Sequence, residues 1–291
     1  MGSSPRWERT ERLDADRVAD AVHTQTGVRL IVEGPCPGGQ VGAAYVRWPG
    51  GRRSVLKWRP HTVLADLLSG PLAVADILRR DGFPAPATEL TAQIGHAVAV
   101  VQELLPGRKT DQFDHAVLEQ ALALNEALSG RLLGHTSIPS VELHLQSDGP
   151  GYCLHDPLRG HGRRSVALQR WVASVGAAHP QHLPGHDAVH QDFHPGNLLT
   201  AEGSITGVVD WDGAARGDRR FDLVTLRFGL HTTPSAAGVV ERLDAVLDTV
   251  PDQVLRPAWA HMSLRMADWA IRHFSPADVE VWLDLAEQRM D

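Results

Sequence analysis

The ten residues His190 to Leu199, HQDFHPGNLL, set two imidazoles, a carboxylate and an amide ahead of an apolar pair. Asp192 and Asn197 stand five positions apart, and Pro195-Gly196 between them argues against a helix running through the segment. Asp210 follows thirteen positions beyond Asn197, at the end of the apolar strand signal GVVDWD. Three oxygen-bearing side chains therefore meet between two short loops. A carboxylate and an amide carbonyl are hard ligands suited to Mg²⁺, which keeps several waters and bridges to substrate phosphates. A second carboxylate, free of metal, can take a proton from a hydroxyl.

Upstream, the pattern changes to strands. DADRVADAVHTQTG reads as a helix capped by Asp14 and ended by Gly27. VRLIVEG, VGAAYVRW and SVLKWR then read as three strands, with the glycine-rich EGPCPGGQ between the first two and PGGR between the last two. Leu64 to Arg80 has helical apolar spacing interrupted by Ser69-Gly70-Pro71, and HAVAVVQELLPG is a strand running into a connector near Pro106. From about Asp114 the chain is mostly amphipathic helix, with helices expected near 219–230, 238–249, 253–273 and 277–289. The expectation is an α+β protein: a β-rich lobe over 1–104 and a mostly helical lobe over 105–291.

HQDFHPGNLL together with GVVDWD resembles the aminoglycoside phosphotransferase and choline-kinase-like branch of the kinase-like superfamily. That branch reads H-x-D-x-H-x-x-N followed by an (I/V)-D-(W/F)-(D/E) strand. The strand lysine, the QELLPG connector and the RGDRRFDL segment extend the likeness over nearly the whole chain. The resemblance implies a two-lobed kinase-like fold and transfer of the γ-phosphoryl of ATP or GTP to a small-molecule hydroxyl. It implies Asp192 as catalytic base, Asn197 and Asp210 as Mg²⁺ ligands, and Lys57 as the contact to the α/β phosphates. Gly38 and Gly39 would cover the nucleotide, and the backbone of Gln102, Glu103 and Leu104 would meet its base. His190 would brace the catalytic loop, His194 would lie under it, and Asp222 would tie it. Asp212 is a candidate for a second metal or the acceptor. Asp218, Asp268 and Trp269 are candidates for the acceptor side of the cleft. The family's glutamate on the first lobe helix, the usual partner of the strand lysine, is absent near Gly70-Pro71. Asp66 and Asp76 are the acids nearest to that place.

Composition narrows the alternatives. The chain has 291 residues, 43% hydrophobic and 22% charged, as in an ordinary globular protein. No apolar run is long enough to span a membrane, and the N-terminus has no apolar signal core, so a cytoplasmic location is expected. A net charge of −7 argues against nucleic acid as a partner. Cys36 and Cys153 make no disulfide framework. Only Lys57 and Lys109 are lysines, against 26 arginines, so each lysine stands out. Antibiotic modification, of an aminoglycoside-like, peptide or nucleoside compound, is the favoured setting. A metabolic kinase for choline, a sugar or homoserine is the alternative. A different class is raised by His182, His186, His190 and His194, which recur every four residues and on one helix would suit a metal-dependent hydrolase.

Overall fold

The computed structural model describes residues 12–37, 41–110 and 112–290. Asp14 caps α1 (Ala15–Thr26) by accepting the Arg17 N–H at 3.2 Å, and Gly27 ends it in the left-handed region at φ 75°. Val18, Ala19 and Val22 turn this helix onto a five-stranded antiparallel sheet. Its strands are β1 (Ile31–Cys36), β2 (Ala43–Arg47) and β3 (Arg53–Pro60), then, beyond α2 (Leu64–Ser69) and α3 (Pro71–Arg80), β4 (Thr88–Ile94) and β5 (Ala97–Glu103). The spatial order β1-β2-β3-β5-β4 makes β3 central. Alternation along β3 buries Ser54, Leu56 and Trp58 on one face and leaves Val55, Lys57 and Arg59 on the other. Register places Lys57 opposite Ala43 of β2 and Val100 of β5.

Gly70 separates α2 from α3, and Pro71 opens α3 at its first position, where no N–H is needed. β4 is an addition to the sequence reading. Its polar run, TELTAQI, carries no continuous apolar signal, yet it pairs with β5 across a turn at Gly95, φ 59°.

The rest of the chain is dominated by helices: α4 (His115–Ala127), α5 (Asp156–His161), α6 (Arg163–Ala178), α7 (Phe221–Leu230), α8 (Val239–Leu247), α9 (Asp252–His273) and α10 (Pro276–Glu287). Two small ribbons sit among them. β6 (Arg108–Lys109) pairs with β8 (Leu198–Ala201), which pairs with β9 (Ser204–Val208); β7 (Asp187–Val189) pairs with β10 (Ala215–Gly217). One large core joins the helices to these ribbons through Leu198, Val208, Trp211, Phe221, Trp259 and Leu264. Val74, Ala75 and Leu78 of α3 belong to that same core and not to the apolar cluster under the sheet. These three side chains hold α3 to the helical half by apolar burial, at roughly 1.5–3 kcal/mol per large side chain, while Leu72 packs with Val98 and Val100 of β5. Among the described residues, no helix is long and apolar enough to cross a membrane.

Candidate active site

The catalytic loop leaves β7 at Val189 and is anchored from below. Asp222, fully buried in the first turn of α7, accepts the N–H of His190 at 2.7 Å and of Gln191 at 2.9 Å. These bonds hold Gln191 at φ 66°, a conformation that non-glycine residues adopt at a cost. Burial pushes the Asp222 carboxyl up to about 7, although the two backbone N–H groups favour its charged form. His190 is also fully buried. Its Nε2 donates to the Val209 carbonyl at 3.0 Å while its Nδ1 accepts the Asp192 N–H at 3.2 Å. Those bonds fix a neutral tautomer, and burial brings its pKa down to about 4. The ring lies edge-on to Trp211, 4.5 Å between centroids, and Trp211 donates to Val208 O. The motif's first histidine therefore joins the catalytic loop to the segment that leads from β9 to Asp210.

Asp192 is held on both carboxylate oxygens. Oδ1 meets Arg265 Nη2 of α9 at 2.9 Å, and Oδ2 accepts from Asn197 Nδ2 at 3.0 Å. Arg265 also donates to the Gln191 carbonyl. Burial works to raise the Asp192 carboxyl, but His194, Arg265 and His190 hold it well below the usual carboxylate range. His194 departs from expectation. It does not lie beneath the loop: its Nε2 stands 3.4 Å from Asp192 Oδ2, its Nδ1 accepts the Gly196 N–H at 3.0 Å, and about a third of its side chain is exposed. It shapes the open face of the site as well as the turn at Pro195–Asn197.

Asn197 is buried and commits its amide nitrogen to the Asp192 carboxylate and carbonyl, which leaves Oδ1 as the donor for a cation. Its carbonyl accepts the Val209 N–H at 2.9 Å, so the two loops are hydrogen-bonded one residue short of Asp210. Asp210 adopts the left-handed conformation, φ 69°, which turns its side chain out of the strand direction. Lys57 Nζ reaches Asp210 at 2.6 Å and Asp212 at 2.9 Å. Arg59 reaches the same two carboxylates, Asp210 at 3.4 Å. Burial and the neighbouring Arg59 lower Lys57 to about 8, with Asp210 opposing them. Burial raises the Asp210 carboxyl, yet Lys57 and Arg59 together keep it below its ordinary value. Side-chain cations thus sit on the carboxylate that a divalent ion would claim. With Asn197 Oδ1 alongside, the donor set fits a hard cation such as Mg²⁺.

The remaining expected residues divide. Gly38 and Gly39 lie outside the described residues. Gln102 is buried in β5. The Glu103 N–H is committed to Ala87 O, and its carboxylate turns to Arg79 and the Ala87 N–H. Leu104 lines an open recess of about 480 Å³ with Tyr45, Arg53, Leu105, Pro106 and Gly107. Asp66 and Asp76 do not pair with Lys57. Both are exposed, Asp76 is 2.5 Å from Arg80, and the partners of the lysine are Asp210 and Asp212.

Three acceptor-side expectations are corrected. Asp218 accepts the Arg220 backbone and guanidinium within its own turn. Asp268 is fully buried, ion-paired with Arg272 at 2.7 Å and bonded to Leu154 N–H. Trp269 packs between Tyr152, Phe274 and Trp282 at the far end of α9. The four-residue histidine repeat also fails as a helix face, because 187–189 is a strand and 195–197 a short 3₁₀ turn. Among the described residues, no group of three or more His, Cys, Asp or Glu side chains is arranged to hold a metal. Two site residues were not anticipated. Arg59 could have been found by strand alternation from Lys57; Arg265 had no local signal.

The comparisons agree with this geometry. The profile of the phosphotransferase enzyme family (APH) matches residues 34–264, most of the chain, and the protein belongs to that family. No curated protein matches it by sequence. Among solved structures it is similar to a thermostable mutant of aminoglycoside phosphotransferase APH(4)-Ia in ternary complex with AMP-PNP and hygromycin B. That likeness has a TM-score of 0.60 at 16% identity, covering 95% of this chain and 98% of that one. It is also similar to a putative fructosamine-3-kinase from Thermobifida fusca, TM-score 0.57, 17% identity, 94% and 98% covered. A third is the macrolide 2'-phosphotransferase MphH from Brachybacterium faecium, TM-score 0.52, 19% identity, 93% and 96% covered. At these identities the likeness shows the two-lobed kinase-like fold.

Proposed function

We propose that the protein transfers the γ-phosphoryl of ATP or GTP to a hydroxyl of a small molecule, and that the acceptor is an antibiotic. The observation that carries this reading is the convergence of Asp192 and Asn197 of one loop, Asp210 of a second and Lys57 of β3 on one cleft. In this reading the sheet-bearing lobe, 1–104, covers the nucleotide, and the helical lobe, 105–291, presents the acceptor. Asp192 orients the acceptor hydroxyl in line and receives its proton as the bond to phosphorus forms. Its carboxylate is a weak base, so placement contributes more than proton affinity. Asn197 Oδ1 and Asp210 would hold Mg²⁺, which when bound offsets charge on the phosphates. Lys57 moves from the two carboxylates to the phosphate oxygens, and the recess beside Leu104 takes the base.

The antibiotic reading draws on the aminoglycoside and macrolide phosphotransferases that share the fold. One observation favours a second reading, a kinase for a neutral or anionic metabolite. Arg265 stands against Asp192, and Asp218 and Asp268, the acids expected to receive a polycation, are neutralised by arginines. A nucleoside-diphosphate-release screen with ATP and GTP against aminoglycosides, macrolides, nucleoside antibiotics, sugars and hydroxy acids separates the two. Asp192→Ala should lower acceptor-dependent turnover by on the order of 10²–10⁴-fold while sparing nucleotide binding. Unchanged turnover in that variant removes Asp192 from the reaction.

A further inference from the structure

Two cations stand together on β3 where the family pattern has one. Lys57 and Arg59 are two residues apart on an alternating strand and share its cleft face. Both are largely buried, with 14% and 19% of their side chains exposed, and both close on the same pair of carboxylates, Asp210 and Asp212. Neither receives an acid from α3. That helix buries Leu72, Val74, Ala75 and Leu78, and its one acid, Asp76, is exposed beside Arg80. The charges match two against two across the lobes.

That match cannot persist once ligand enters. A divalent ion held by Asp210 would compete with the two cations already within hydrogen-bond reach of the same carboxylate. Both must then find other oxygens, and a polyphosphate supplies them along the face of β3. The two side chains suit different tasks there: an ammonium is a point charge, and a guanidinium fork can engage two phosphate oxygens at once. We propose that Arg59 is a second phosphate-binding cation, acting beside Lys57 on the nucleotide's polyphosphate, and that Asp212 holds both cations in place before the nucleotide arrives. The proposal rests on the phosphotransferase reading above.

The test is calorimetric binding of nucleoside tri-, di- and monophosphate and of the bare nucleoside, in adenine and guanine series, with and without Mg²⁺. Wild type, Arg59→Gln, Arg59→Lys and Lys57→Met are compared, with circular dichroism melts confirming folding. Arg59→Gln should weaken triphosphate binding roughly ten-fold or more, diphosphate less, and the nucleoside not at all. Arg59→Lys should recover part of the loss. A loss that is equal for nucleoside and triphosphate makes Arg59 a structural residue and overturns the proposal, as does an unchanged triphosphate affinity. Should the glutamine variant not fold, the lysine variant carries the test, since its smaller loss must still grow with phosphate count. A wild type that binds no nucleoside triphosphate, or a Lys57→Met that binds as wild type does, defeats the phosphotransferase reading itself. A weakened Lys57→Met beside an unaffected Arg59→Gln defeats only the role given to Arg59.

Discussion

The two sides of the cleft are held together by different physics. On the catalytic-loop side the contacts stay within the helical half: Asp222 accepts the His190 and Gln191 N–H groups, the neutral His190 ring links Asp192 N–H to Val209 O, and Arg265 of α9 pairs with the Asp192 carboxylate. On the phosphate side, Lys57 and Arg59 of the sheet meet Asp210 and Asp212 of the loop after β9 through ion pairs that cross between the lobes. In the proposed reaction the first arrangement is set before ligand binds, with Asp192 as a preorganised base, and the cations of the second are displaced by the nucleotide.

If that contrast is right, the largest single loss outside Asp192 should come from Asp222. Asp222→Ala removes the acceptor of two buried N–H groups and the support of the left-handed Gln191. It should cost on the order of 3 kcal/mol in urea unfolding and at least a hundred-fold in turnover. Lys57→Met makes the opposite pair of effects. Arg59 still faces both carboxylates, so stability should change by about 1 kcal/mol or less while nucleotide binding falls steeply. Equal stability losses in the two variants would erase the distinction between the sides.

Arg265 probes the hydrogen-bonded side more gently. In Arg265→Gln the Asp192 carboxyl loses one of the groups that depress it, and Gln191 O loses its donor. Turnover should fall about ten-fold, and the acidic limb of the pH–rate profile should move toward neutrality, because a smaller fraction of Asp192 is ionised at low pH. A lower rate with an unmoved limb would reduce Arg265 to packing.

What the sequence revealed follows from how local each signal is. His190, Asp192, Asn197 and Asp210 fall within 21 consecutive residues, and their spacing alone encodes two adjacent loops. Lys57 was legible through the family resemblance and the scarcity of lysine, and Arg59 lies one strand period further on the same face. Arg265 lies 73 residues from Asp192, and nothing in the sequence of α9 marks which of its turns meets the loop. The acceptor-side acids were misassigned for a related reason. Both acids pair with an arginine of their own helix or turn, Arg220 two residues from Asp218 and Arg272 four residues from Asp268, whereas the acids of the cleft pair with cations distant in sequence. The acidic partner of Lys57 was left open among Asp66, Asp76 and none, and the lysine pairs instead with Asp210 and Asp212. That pairing depends on how the lobes meet, which no local pattern carries.

The smallest effect concerns acid, and it sharpens the contrast because acid should attack the hydrogen-bonded side through its neutral imidazoles. His261 lies on α9 one turn before Arg265, buried, with Nδ1 accepting the His144 N–H at 3.3 Å. Burial, aided by Arg265 and His144, lowers its pKa to about 3, from an ordinary value of 6.5. A histidine depressed in the folded state contributes stability that is fully present above pH 6.5 and is lost as pH falls toward 3, since the unfolded chain binds the proton first. At pH 5.5, one unit below the ordinary value, that loss is about 1.4 kcal/mol. Asp222, whose carboxyl is raised to about 7, has the opposite sign, its contribution growing as pH falls from 7 toward its ordinary value of 3.8, so the wild-type curve alone cannot isolate the imidazole. The difference between wild type and His261→Gln can. Urea midpoints measured from pH 7.5 to 5.5 should fall more steeply in the wild type, with turnover at pH 7.5 nearly equal in both. Parallel curves would mean that His261 is already protonated, or already solvated, in the folded protein, and that the wall behind the catalytic loop is less dry than its burial implies.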